Sequence, residues 1–398
     1  MGFAIYEKKT VRDIDVNGKK VLVRVDFNVP LTSDCRIADD TRISAAVPTV
    51  KYLRDRGAIL ILISHLGRPN GEVDPRFSLR PCANRFAQIL GSDVGFCTEC
   101  IGDVPKKMIK KMHPGDVLVL ENLRFHIEEE QNDPKFAAQL AELADIYVDD
   151  AFGAAHRYHA SMEAVPKLIP AVSGLLVEKE LVIMGKALSN PDRPFVAIMG
   201  GAKVTDKIGV VHNLLEIVDT LMIGGGIGHT FLAAQGYDMG KSRVNSANIE
   251  WAKELLKKPN AKKLMLPVDL VVAEAFDENS PTRIVDIDQV PTGWMALDIG
   301  PRTIEKYKKI ISEAKTIVWN GPMGVFEMEP FANGTREIAI AVAKSNGVSI
   351  IGGGDSVAAV EKMGVSYRVN HISTGGGSTL EFLEGKDLPA IKVLNDLD

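Results

Sequence analysis

Each of four apolar segments in the first half of this 398-residue chain runs straight into side chains suited to holding an anion. Lys20–Val25 leads to Asp26, Asn28 and then Arg42, and Ala58–Ser64 to His65, Gly67 and Arg68. Val117–Leu120 leads to Glu121, Asn122 and Arg124, and Ile146–Asp149 to Asp150, Gly153, His156 and Arg157. A guanidinium presents a fixed fork of donors that matches carboxylate and phosphate oxygens. One arginine on a polar loop is most simply a solvated one. Four at the same structural position imply a basic pocket for a small anion. Arginine usage agrees: residues 1–172 hold 12 arginines and 173–398 hold 6, although the halves differ little in total charge.

The second half carries a different chemistry at the same positions. Its apolar segments run into Gly200-Gly201-Ala202-Lys203, Gly224-Gly225-Gly226-Ile227-Gly228, Asn320-Gly321-Pro322-Met323-Gly324 and Gly352-Gly353-Gly354-Asp355-Ser356, and a last cluster is Thr374-Gly375-Gly376-Gly377-Ser378. Glycines before a helix let backbone amides approach phosphate oxygens, and the helix dipole adds attraction. One such cluster also suits an ordinary tight turn. Five in one half, with Lys203, Lys207 and Asp355 among them, imply a nucleotide polyphosphate, with Asp355 holding Mg²⁺ directly or through water.

Familiar templates do not fit. Gly224–His229 lacks the last glycine of G-x-G-x-x-G, Gly200–Lys207 lacks the Gly-Lys-Ser/Thr order of a Walker A loop, and no protein-kinase signature is present. Cys97 and Cys100 form a lone C-x-x-C without a second pair, which favours two reduced structural thiols over a redox or zinc site. His156 and His159 have no third ligand nearby in the sequence, so a structural or anion-contacting role is favoured over zinc.

The elements that must position these residues are legible in the apolar pattern. Short Val/Ile/Leu-rich runs continue in the second half at Phe195–Met199, Thr220–Ile223, Lys263–Leu266, Thr316–Trp319 and Val348–Ile351. Between the runs lie helical periods such as Thr41–Arg56, Pro134–Ala144, Lys203–Val218, Ile304–Ala314 and Phe331–Lys344, with Asp39, Asp40 and Thr41 offering capping oxygens to the first. Near-continuous apolar strands alternating with helices predict an α/β fold of two doubly wound, Rossmann-like parallel-sheet domains. In such sheets ligands bind beyond the carboxyl ends of the strands, where the polar clusters fall. The expected division is an anion-binding domain over 1–172, a linker helix over 173–190, a nucleotide-binding domain over 191–378 and a segment over 379–398 that returns to the first domain.

Composition limits the partners. With 47 basic and 52 acidic residues the net charge is −5, which argues against a nucleic-acid binder. No run of 18 apolar residues appears, so no membrane span is expected, and the charged start Met1–Lys9 is unlike a secretory leader. Four cysteines suit a cytoplasmic protein.

A small anion on one domain and a magnesium nucleotide on the other are joined most simply by phosphoryl transfer across a closing cleft. At this point a resemblance emerges. Arg24–Pro30 (RVDFNVP), Ser64–Pro69 (SHLGRP), Leu120–His126 (LENLRFH), Asp150–Ser161 (DAFGAAHRYHAS), Gly200–Ile208 (GGAKVTDKI), Trp319–Glu327 (WNGPMGVFE), Gly352–Ser356 (GGGDS) and Ser373–Gly377 (STGGG) together resemble the phosphoglycerate kinase family, in its order and from end to end. The resemblance implies ATP/ADP, Mg²⁺ and 3-phosphoglycerate as ligands, a monomer, and no nucleic-acid or membrane partner. By residue it places Asp26, Phe27, Asn28, Arg42, His65, Leu66, Gly67, Arg68, Arg124 and Arg157 around the acceptor. It places Gly201, Lys203, Lys207, Gly225, Ala296, Asn320, Gly353, Gly354, Asp355 and Ser356 around the nucleotide, with Glu327 on the ribose hydroxyls. Ala296 stands where a glycine is common, Gly228-His229 replaces a frequent Ala-Tyr, and Ser378-Thr379 a frequent Ala-Ser.

The chemistry itself needs no general base, because a carboxylate nucleophile with a pKa of about 4 is already ionised at neutral pH. Catalysis then rests on alignment and on neutralising the moving phosphoryl group. That work is expected of Arg42, Lys203, Mg²⁺ and the amides around Gly376 and Gly377, with closure about the linker helix and the carboxy-terminal return. Two alternatives use similar parts: an NAD-dependent two-domain dehydrogenase, disfavoured by the broken glycine fingerprint, and a non-catalytic nucleotide sensor, disfavoured by the presence of both Lys203 and Asp355.

Overall fold

The structure, a computed structural model, describes residues 7–397; the stretch Met1–Tyr6, part of the leader reading above, lies outside them. The chain divides into two units. One comprises the chain up to Gly185 together with Asp387 onward, and the other Lys186–Lys386. The division falls within a single helix, Leu175–Ser189.

In the first unit, strands β1 (Lys20–Val25), β2 (Ile59–Ile63), β3 (Gly95–Cys97), β4 (Val117–Leu120), β5 (Ile146–Asp150) and β6 (Ala171–Ser173) form one sheet in the order β3-β4-β2-β1-β5-β6. Every pairing is parallel. The inner strands are buried on both faces, which is why they read as unbroken apolar runs. The exception is Arg24, the penultimate residue of the apolar β1 and only 1% exposed. Chain order reverses around β1, whose neighbours are β2 and β5, so the crevice of this sheet opens beside the end of β1. The carboxy-terminal segment packs on this unit: Ala390 donates to the Ala155 carbonyl at 3.1 Å, and Lys8 pairs with Asp396 at 2.6 Å.

The second unit repeats the scheme with β7 (Phe195–Met199), β8 (Thr220–Ile223), β9 (Leu264–Met265), β13 (Thr316–Asn320), β14 (Val348–Gly352) and β15 (His371–Ile372), in the order β15-β14-β13-β7-β8-β9 and again all parallel. A second sheet was not expected. β10 (Asp269–Ala273) pairs antiparallel with β11 (Thr282–Asp286) and β12 (Met295–Ile299) around a separate apolar cluster that includes Leu270, Val272, Trp294 and Ala296. Exposed side chains begin β11, so it lacks the continuous apolar signature that marks the parallel strands.

Local chemistry corrects three expectations. The helical period over Thr41–Arg56 is two helices, Thr41–Ala45 and Val47–Arg54, because Pro48 has no N–H to continue the ladder. Asp40 caps nothing; its carboxylate pairs with Arg85, while Asp39 accepts from the Thr41 N–H at 2.7 Å. The period over Lys203–Val218 is a 3₁₀ turn, Thr205–Lys207, followed by a helix from Ile208 to Ile217, so both lysines precede the helix.

Candidate functional site

In the first unit the ends of β1, β2 and β4 are tied into one frame. Arg42 reaches back to Asp26, Nη1 to Oδ2 at 2.7 Å, and the other Asp26 oxygen accepts from the Asn28 N–H at 3.1 Å. The Asn28 side chain accepts from Gly67 N–H at 2.9 Å, and the Gly67 carbonyl accepts from Arg124 Nη1 at 2.8 Å. Gly67 has φ +63°, and a Cβ there would run into the Phe77 ring, so the close approach of these loops depends on glycine. Asn122 fastens the loops from below: its Oδ1 accepts from Leu66 N–H at 3.2 Å, and its Nδ2 donates to the Leu66 carbonyl at 2.8 Å. Phe27 N–H donates to Ser64 Oγ at 2.9 Å.

The result is a concentration of cationic groups, partly balanced by Asp26 on Arg42 and Glu130 on Arg124. Burial lowers the Arg124 pKa, a pull that Glu130 at 3.4 Å opposes. Burial, then neighbouring arginines, pushes His159 down to about 3 and His156 to about 4, so both rings are neutral at physiological pH. Among the described residues no group of three or more potential metal ligands is found. Arg68 and Arg157 are exposed, and Arg157 lies close enough to act on Arg124 and both histidines. Of the expected acceptor residues, the structure thus links Asp26, Phe27, Asn28, Arg42, Leu66, Gly67 and Arg124 by bonds. His65 is held separately by Arg24, whose Nη2 lies 2.9 Å from its Nδ1.

In the second unit the strand ends are held by backbone. Gly201 donates to the Pro322 carbonyl at 2.7 Å, Gly225 to Met323 at 3.0 Å and Gly226 to Gly201 at 3.0 Å. Gly225 has φ +58°, and a Cβ there would lie 2.7 Å from the Gly201 nitrogen. Lys207 is buried beneath these turns, donating to the Gly200 carbonyl at 2.7 Å; burial lowers its pKa to about 8, against the opposing pull of Asp355 and Asp206. Asn320 donates to the Gly352 carbonyl at 2.8 Å, and Ser356 Oγ accepts from Gly321 N–H at 2.5 Å.

Above this floor lies a cavity of about 660 Å³. Its wall brings together Gly201, Gly225, Ala296, Glu327 and Asp355 of the expected residues. Apolar lining from Phe276, Met295, Leu297 and Val325, and cations from Lys241 and Arg243, were missed. Val325 falls within the Trp319–Glu327 motif; the others lie in and around the unforeseen antiparallel sheet, where no quoted motif flags them. Lys203 lines a second cavity of about 370 Å³, which shares Ala202 and Arg243 with the first. Gly353 and Gly354 open the helix Gly354–Lys362, and Asp355 lies exposed in its first turn. Gly376 and Gly377 open another helix, Gly377–Leu383, but neither contributes to the wall of either cavity.

The buried thiols of Cys97 and Cys100 are both pushed up by desolvation, which makes them inert rather than redox-active. No helix among the described residues is long and apolar enough to cross a membrane.

Two parallel α/β units, one rich in anion-ready arginines and one carrying a glycine-lined cavity with lysine and aspartate beside it, define a phosphotransferase. The phosphoglycerate kinase family model matches residues 11–386. The chain is 54% identical over 391 residues to the phosphoglycerate kinase of Pelotomaculum thermopropionicum and 56% identical over 391 residues to that of Moorella thermoacetica, in each case covering 98% of this chain and 99% of the relative. The solved structure of phosphoglycerate kinase from Coxiella burnetii superposes with a TM-score of 0.89 at 40% identity, covering 97% of this chain and 98% of that one. This chain belongs to the phosphoglycerate kinase family. The dehydrogenase alternative has no support in any of these matches.

Proposed function

We propose that this kinase moves a phosphoryl group reversibly between ATP and the carboxylate of 3-phosphoglycerate, in the cytoplasm and as a monomer, with the roles divided between its two units. The family match over residues 11–386 carries this reading, and the site geometry supports the division of labour. Asp26, Asn28, His65, Arg68, Arg124 and Arg157 hold the acceptor, with Phe27, Leu66 and Gly67 supplying backbone that shapes its pocket. Arg42 faces the reacting end. Its bond to Asp26 fixes the guanidinium while leaving it a third exposed, so it retains donors for a ligand.

On the nucleotide side, the apolar wall around Ala296 suits a base, Glu327 suits the ribose hydroxyls, and Lys203 and Lys207 flank the glycine turns that receive the phosphates. Gly201, Gly225, Asn320, Gly353, Gly354 and Ser356 build those turns. Asp355 is an exposed carboxylate, and among the described residues no group of three or more potential ligands gathers there, a donor set that fits Mg²⁺, which takes one or two carboxylates and fills its remaining positions with water and phosphate oxygens. Bound there, Mg²⁺ would neutralise charge on the nucleotide phosphates. Gly376 and Gly377 offer amide donors at a helix start, outside the cavity wall. Closure about the helix Leu175–Ser189 and the carboxy-terminal return would align the carboxylate with the phosphorus. Neither substrate needs a proton removed, so alignment and charge neutralisation supply the catalysis.

The reaction is tested by incubating the protein with ATP, Mg²⁺ and 3-phosphoglycerate and trapping the acyl phosphate with hydroxylamine. Hydroxamate formation that depends on all three supports the reading; its absence overturns it.

A further inference from the structure

Behind His65 runs a hydrogen-bonded chain that the reaction itself does not require. Arg24 is 1% exposed, and all three of its guanidinium nitrogens are engaged: Nη1 to the Val25 carbonyl at 2.5 Å, Nε to Ser161 Oγ at 3.0 Å and Nη2 to His65 Nδ1 at 2.9 Å. Ser161, itself buried, is gripped twice by Glu129, Oγ to Oε1 at 2.5 Å and N–H to Oε2 at 2.9 Å, while its carbonyl accepts from Tyr147. Two buried acids face Arg24 without touching it, Glu129 and Asp149; burial raises the pKa of each and the guanidinium opposes that rise. The sequence offered little sign of this, because Glu129 sits in an acidic run that reads as solvated surface.

A guanidinium has no acceptor, so Nδ1 of His65 must be the acceptor in this contact. Its single ring proton is therefore on Nε2. Adding a second proton would set an Nδ1–H against an arginine N–H and place a new charge among existing ones. Those facing it are Arg24 from β1, Arg42 from the helix Thr41–Ala45, Arg124 from the loop after β4, and the neutral His159 from the loop after β5. Burial and these cations hold the ring well below its ordinary pKa.

We infer that Arg24, seated by Ser161 and Glu129, is a positioning residue that holds His65 as a neutral, Nε2-protonated donor aimed at the acceptor's anionic oxygens. The donor's target rests on the acceptor role proposed for His65 above. The tautomer rests on geometry alone. The arrangement supplies a fixed hydrogen bond without adding a titrating charge to a pocket already dense with arginine.

The test is a long-range ¹H–¹⁵N correlation spectrum of the whole ¹⁵N-labelled protein, with His65 assigned by its loss in His65→Gln. The pattern of a neutral Nε2–H ring, unchanged from about pH 7.5 to about pH 5, is the expected result. A protonation midpoint inside that range, or an Nδ1–H pattern, overturns the lock. In Ser161→Ala the His65 ring should begin to titrate and the KM for 3-phosphoglycerate should rise roughly 5–10-fold, with the nucleotide KM unchanged. Ser161→Thr, which keeps the hydroxyl, should restore both. A folded Ser161→Ala protein with the wild-type His65 pattern overturns the role given to Ser161 and Glu129. If the lock is observed but His65→Ala leaves the acceptor KM unchanged, the acceptor assignment fails instead.

Discussion

The two units meet the same electrostatic demand, binding anionic phosphate, with opposite materials. The first uses side chains: Arg42, Arg124 and their neighbours, oriented by Asp26, Asn28 and Asn122. The second uses backbone: turns at Gly200 and Gly225 pack so closely that a Cβ does not fit, and the buried Lys207 supports them from below. A side-chain site distinguishes a small ligand by placing forked donors, each removable without disturbing the fold. A backbone site tolerates little change, because its donors are the fold. Substitutions should therefore separate the two: arginine variants should lose function while keeping stability, and glycine variants should lose both.

The largest effect is expected at Arg42. Arg42→Ala should lower kcat by about 100–1,000-fold, the range for losing one preorganised donor to developing charge, while ATP affinity changes little. Steady-state kinetics with calorimetric ATP binding checks this, and equal losses in both would erase the distinction between the units. Next is Arg124→Ala, which should raise the KM for 3-phosphoglycerate by roughly 10–50-fold with the nucleotide KM intact, as expected for a lost charged hydrogen bond at a partly desolvated site. An unchanged acceptor KM would remove Arg124 from the pocket.

These residues were readable because strand ends in parallel sheets are where ligands bind, and an arginine directly after an apolar run is conspicuous. The same rule exposed the glycine turns and the two large sheets. It failed where the partner lies far off in sequence. Arg24 is the penultimate residue of β1, and nothing in its neighbours reveals that it seats Ser161 or that its charge faces the buried Glu129 and Asp149. The antiparallel sheet β10-β11-β12 supplies Met295 and Leu297 to the cavity from β12, yet β11 begins with exposed side chains and breaks the run of apolar strands. The period over Lys203–Val218 correctly showed a helix but not that Lys207 precedes it with φ −116°, turned back onto the Gly200 carbonyl.

A smaller effect, on the backbone side of the comparison, is expected at Gly225→Ala. The added Cβ meets the Gly201 nitrogen and carbonyl oxygen at 2.7 and 2.8 Å in a left-handed conformation, so both strain and a clash must be relieved. Stability should fall by about 1–3 kcal/mol and ADP affinity by roughly tenfold, with acceptor binding intact. Thermal unfolding and calorimetry read the two together. Loss of ADP binding without loss of stability would mean that the cradle is separable from the fold.

The mildest prediction concerns Lys207, a cation buried in the backbone site. Its pKa is lowered to about 8 by burial, so in the free protein it loses its proton near the upper edge of physiological pH. Phosphate binding requires the ammonium. ADP affinity should therefore be flat from about pH 7 to 8 and fall above that, by at most about tenfold per pH unit. The stability of the unliganded protein should move the other way. The folded lysine titrates below the ordinary value of 10.5, so between about 8 and 10.5 the unfolded chain binds more protons and this group's contribution to stability rises with pH. The stabilisation conferred by saturating ADP should thus shrink across the same interval in which the free protein is relieved of a buried charge. Lys207→Met should flatten both trends. The exposed arginines of the other unit keep their charge throughout this range, so 3-phosphoglycerate affinity should show no matching decline, and a parallel fall in both ligands would trace the effect to something other than the buried lysine.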